Sequence, residues 1–82
     1  MGTYLIPKSL QSKYRGAGHA MAAIVDNEIV EFVYLYDVLP EFDGDLGTAM
    51  EQAALAPTVR YLSAVGCVSI GMLCEGRFTE LQ

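Results

Sequence analysis

Tryptophan is absent from these 82 residues, histidine occurs once, cysteine twice and proline three times. Lysine and arginine together number five, against ten aspartates and glutamates, for a net charge of −5. Each scarcity removes a class of function. Nucleic-acid binders draw most of their affinity from a basic face that neutralises phosphates; so acidic a chain is not expected to bind DNA or RNA directly. No apolar run exceeds the six residues AMAAIV at 20–25, far short of the ~20 that a membrane-spanning helix needs. The opening MGTYLIPKSLQSK has no charged start followed by an apolar stretch, so no secretory signal is read in it. Ile6 stands where a myristoylation motif takes Ser or Thr.

The two cysteines, Cys67 and Cys74, lie on what reads as one extended segment. Seven steps at ~3.3 Å place them about 23 Å apart, whereas a disulfide needs Cα atoms within ~7 Å. Their C-x6-C spacing fits no zinc pattern, and His19 alone leaves a four-ligand site short. No metal and no cofactor are expected. Buried, reduced thiols in a cytoplasmic protein are the expectation. Catalysis has little to start from: His19 has no orienting carboxylate fixed by the sequence, neither cysteine sits at a helix N-terminus, and Ser63 and Ser69 lack a nucleophile-elbow context. No catalytic residue is assigned, and an enzyme built on His19 or a cysteine ranks last among the function classes.

What the chain does have is apolar mass. Hydrophobic residues make up 52% and glycines number eight, a composition that excludes disorder and fits one domain over residues 1–82. Residues 3–6 read as a short edge strand stopped by Pro7, and 8–18 as a loop. The apolar run from His19 to Val25 and the β-branched, aromatic run from Glu28 to Leu39 flank Asp26-Asn27, a pair that tolerates the positive φ of a type I′ turn, which predicts a hairpin. Residues 41–48 form an acidic, glycine-rich loop entering a helix, capped by Thr48 with Glu51 or by Asp45. Pro57 breaks or kinks that helix, which resumes over 58–64 and ends at Gly66, expected to be left-handed. A second hairpin, 67–74 and 77–81, turns at Glu75-Gly76. The order β-β-β-α-β-β predicts a small α+β domain: an antiparallel sheet of four to five strands with a kinked helix on one face.

A regular two-residue hairpin puts Met21, Ala23, Val30, Phe32, Tyr34 and Val38 on one face. Ile24, Ile29, Glu31, Val33, Leu35 and Asp37 lie on the other. Unpaired carboxylates resist burial, so the acid-free face is expected under the helix. The second face is then left uncovered, a surface for a second copy or another protein; the alternative is that the N-terminal segment or a C-terminal strand folds over it.

Charge adds to this. Asp37, Glu41, Asp43 and Asp45 gather near the helix start and would steer the protein towards a basic surface. Lys13 and Arg15 precede Gly16-Ala17-Gly18, a weak phosphate-cradle pattern that lacks the strand-before, helix-after context of a nucleotide motif. The reading is therefore a non-catalytic acidic protein-binding module, expected as a homodimer. Docking on a basic, nucleic-acid-handling protein as an inhibitor or regulator would suit its composition, which many phage and mobile-element inhibitors share. The alternative is a small-ligand or nucleotide sensor using residues 13–18 or an intersubunit cleft. No motif aligns residue by residue with a known family.

Overall fold

The computed structural model describes residues 2–81; Met1 and Gln82, the outermost positions of the expected 1–82 domain, lie outside them. Five strands, β1 (Thr3–Leu5), β2 (Gly18–Val25), β3 (Glu28–Tyr34), β4 (Cys67–Cys74) and β5 (Arg77–Glu80), form one antiparallel sheet in the order β1-β5-β4-β2-β3. The two outer strands, β1 and β3, also approach each other, so the sheet curls. A single helical turn, α1 (Leu35–Val38), follows β3. Helices α2 (Leu46–Ala53) and α3 (Pro57–Val65) lie between it and β4. The result is a small α+β domain, as the sequence predicts. Among the described residues no helix is long and apolar enough to cross a membrane.

Local chemistry accounts for most boundaries. Asp26 and Asn27 take φ 51° and 64°, and Glu75 and Gly76 take 53° and 74°, the doubly left-handed pairs that match the twist of two-residue hairpins. Asp45, not Thr48, caps α2: its carboxylate accepts from the Thr48 amide at 3.3 Å and the Thr48 hydroxyl at 2.9 Å. Pro57 opens α3 at its first position, where the missing N–H is no loss, and holds Ala56 extended at ψ 139°. Gly66 ends α3 in extended backbone, correcting the left-handed conformation expected there. Its glycine serves close approach: a Cβ would stand 3.0 Å from Val25 and 3.1 Å from the Ile24 carbonyl.

Two expectations fail for physical reasons. The strand expected to run to Leu39 stops at Tyr34, and Leu35–Val38 coils into α1. The first hairpin is not regular either: Ile24 pairs with Ile29 but Ala23 pairs with Glu31, leaving Val30 as the extra residue of a β-bulge. One inserted residue flips every side chain beyond it. Phe32 and Tyr34 therefore share a face with Ala20, Ala22 and Ile29, while Val33 joins Met21 and Ala23.

Both faces are covered. Met21, Ala23 and Ile70 pack under Leu35, Ala49, Ala53, Val59 and Leu62 on the helix side. On the opposite side Phe32, Leu73 and Phe78 are sealed by Ile6 and Leu10, which come from the N-terminal segment and its 3-10 turn, Lys8–Lys13. Alanines 20, 22 and 23 on β2 are fully buried, and their small size lets both covers approach this strand.

The apolar surface expected to be open is thus closed within the chain. Ile29 is 2% and Leu35 0% exposed, and Ile24 and Val33 are half-buried against the two cores. The N-terminal segment supplies the cover as a strap, the second of the two alternatives, in place of a partner. The thiols are corrected in the opposite sense: Cys67 and Cys74, at the two ends of β4, are exposed and free.

Candidate functional site

The five acidic residues expected at a partner surface divide into two groups. Glu31 and Asp37 are neutralised by the strap: Lys13 Nζ pairs with Glu31 Oε1, and Arg15 Nη2 lies 2.6 Å from Asp37 Oδ2. Glu41, Asp43 and Asp45 have no cationic partner among the described residues. These three, with Leu39, Pro40, Phe42, Thr48, Ala49 and Gln52, line an open cleft of about 620 Å³ between the 39–45 loop and the start of α2.

The loop builds this cleft from its own hydrogen bonds. The Phe42 amide donates to the Leu39 carbonyl at 3.0 Å, closing a turn after Pro40. The Asp45 amide donates to Asp43 Oδ1 at 3.0 Å, and Gly44 between them takes φ 100°, left-handed backbone that glycine adopts without strain. Asp45 then caps α2, and the hydrogen bonds from Thr48, hydroxyl first and amide second, hold its carboxyl below the usual aspartate range. It therefore stays charged over the cleft at neutral pH. Phe42 is braced edge-on by His19 and Tyr36, with ring centroids 5.3 Å and 5.8 Å away.

The cleft thus combines three carboxylates with an apolar floor of Leu39, Pro40, Phe42 and Ala49. The acids are legible in the sequence and the apolar floor is not. The available signal is Pro40 and Phe42, an imino acid and an aromatic inside an otherwise polar stretch.

The other expected site residues are elsewhere. Gly16 accepts the Tyr34 hydroxyl on its carbonyl oxygen at 2.8 Å, and the Arg15 amide donates to the same hydroxyl at 2.6 Å. With Lys13 and Arg15 already paired to carboxylates, the 13–18 segment binds the protein's own sheet, and Gly18 opens β2. His19 packs against Phe42 as described. Glu80, not singled out by sequence, accepts from the Ser69 hydroxyl at 2.6 Å and the Tyr4 hydroxyl at 3.0 Å. Among the described residues no three of His, Cys, Asp and Glu gather as metal ligands. No protein-family model matches the chain, and no curated protein matches it in sequence.

Proposed function

We propose that the protein is a non-catalytic binding module that docks a basic segment of another protein in the cleft between the 39–45 loop and α2, acting as a regulator or inhibitor of that partner. The observation that carries this reading is the uneven neutralisation of the acids: Glu31 and Asp37 have cations, whereas Glu41, Asp43 and Asp45 share a cleft without one among the described residues. Uncancelled like charge in a concave wall focuses the field outward and speeds association with a positive surface. The apolar floor suits the aliphatic stem of an inserted Lys or Arg. A second copy docked cleft to cleft is disfavoured, because it would present the same carboxylates. A cytoplasmic setting belongs to the same reading, since two exposed free thiols suit a reducing compartment.

The test is capture of the partner from the native host, then association kinetics against salt. The on-rate is expected to fall as the Debye length shrinks from ~30 Å to ~8 Å. The combined Glu41→Gln, Asp43→Asn, Asp45→Asn variant is expected to lower it several-fold at low salt with little change in Tm, since Asn caps a helix nearly as well as Asp. An unchanged low-salt on-rate would remove the cleft as the docking site.

A further inference from the structure

The strap that closes the second sheet face is held in two different ways along its length. Its first half is anchored by packing: Ile6 and Leu10 are buried in the core, and the Ile6 amide donates to the Gly76 carbonyl at 3.0 Å. Its second half is held by charge and by one phenol. Lys13 lies over the Phe32 ring, 5.5 Å from its centroid, and pairs with Glu31. Arg15, two residues on, lies over the Tyr34 ring at 4.6 Å and pairs with Asp37. Cations two residues apart thus sit on rings two residues apart, each flanked by a carboxylate. The Tyr34 hydroxyl completes the fastening through the Arg15 amide and the Gly16 carbonyl.

The geometry points to a latch: the segment from Lys13 to Ala17 opens and closes over Phe32 and Tyr34, and ionic strength sets the balance. Both ion pairs are at least partly open to water; such pairs are individually weak and are screened as salt rises. The packing of Ile6 and Leu10 is not screened, so opening is confined to the second half. Gly16, at φ 90° with open space around it, and Gly18 provide hinge points on either side of Ala17. Opening uncovers the Tyr34 ring and the part of Phe32 that Lys13 covers, while Ile6 and Leu10 keep the rest of Phe32 packed. It also widens the cavity of about 300 Å³ that Ser12, Lys13 and Arg15 form with these rings, Asp37 and Thr58. The device stands apart from the 39–45 cleft and does not depend on the partner proposed there.

Amide hydrogen exchange on the full chain tests this, because the Arg15 N–H is protected only while it donates to Tyr34. Raising NaCl from 10 mM to 1 M is expected to accelerate Arg15 exchange by about five- to tenfold, leaving amides of β2 and β4 unchanged. Arg15→Gln and Lys13→Gln, both at exposed positions, are expected to raise exchange across 13–17 at low salt and to flatten its salt response, with Tm nearly unaltered. Exchange at Arg15 that ignores both salt and these substitutions would overturn the latch. So would exchange that rises only in step with β2, which would mark unfolding of the whole domain.

Discussion

The ring of Phe78 lies on the bare Cα of Gly71. A Cβ at position 71 would stand 2.7 Å from Phe78 Cζ and 2.3 Å from the carbonyl oxygen of Thr79, closer than packed carbon atoms come. Phe78 is fully buried, so this contact sets how near β5 approaches β4 and how the second core closes.

Gly71→Ala is therefore expected to cost about 2–3 kcal/mol, the range for overpacking a core against backbone that cannot swing away. For a domain of this size that lowers Tm by roughly 10–20 °C. Gly76→Ala, where the added Cβ meets open space but φ is 74°, should cost less. Thermal melts of the two variants rank them, and an equal or smaller loss at Gly71 would sink the packing argument.

Both thiols are exposed, at opposite ends of an eight-residue strand. They should react with a thiol reagent in the native state about as fast as in denaturant. Mild oxidation should give covalent dimers and no intramolecular disulfide, because the strand holds the sulfurs roughly 23 Å apart. Slow native labelling, or an internal disulfide by intact mass, would contradict the exposed ends of β4.

What is legible in the sequence is local. Asp26-Asn27, Glu75-Gly76 and Pro57 act through their own backbone preferences, so both hairpins and the helix break can be read from a few residues. The Val30 bulge carries no such mark, since a β-branched residue inside a β-branched run looks like ordinary strand. The strap is undecided in the sequence for another reason: Ile6 and Leu10 cover the sheet only once the sheet exists, so a polar stretch reads as loop, and a cover by the N-terminal segment stands only as the alternative to a partner. At the candidate site the acids are visible by composition. Their sorting into paired Glu31 and Asp37 and unpaired Glu41, Asp43 and Asp45 depends on where the strap lies.

Glu80 and Tyr4 should titrate as linked groups. The hydrogen bond from Ser69, more than that from Tyr4, holds the Glu80 carboxyl below its usual 4.5, while burial works against both. Donation to Glu80 pushes the Tyr4 phenol above 10.0. A lowered folded pKa contributes stability that is present above pH 4.5 and is lost as pH falls through the folded value. The raised phenol contributes below pH 10 and is lost as pH rises through its folded value. In an NMR titration Ser69→Ala should move the Glu80 midpoint upward more than Tyr4→Phe does. A midpoint that neither variant moves would show that the contacts are not populated.

Asp45 gives a second acid-side signature through its cap. Because hydrogen bonds from Thr48 hold its carboxyl below 3.8, the cap is intact above that pH and weakens as pH falls through the folded value. Asp45→Ala should lower Tm by several degrees at pH 7, with a smaller difference at pH 2–3, whereas Asp45→Asn should stay near wild type throughout. If Ala and Asn behave alike at neutral pH, Asp45 is not the working cap.

The bulge in β3 decides which face each side chain beyond it takes. Val30 is the one residue of β3 without a partner between the Ile24–Ile29 and Ala23–Glu31 pairs, and it is substantially exposed. Deleting Val30 alone should give an uninterrupted two-residue hairpin while Glu31, Phe32, Val33 and Tyr34 keep their present partners. Such a variant is expected to fold with both cores intact and to lose little stability, since no buried side chain is removed. Deleting Glu31 and Phe32 together would instead remove a buried ring and the carboxylate that receives Lys13, and should unfold the domain or cost several kcal/mol. Cross-strand amide contacts by NMR distinguish the registers: Met21 opposite Val33 in both the intact chain and the Val30 deletion supports the bulge. Met21 opposite Phe32 in the intact chain would mean a regular hairpin, with Phe32 and Tyr34 on the helix side of the sheet instead of the strap side.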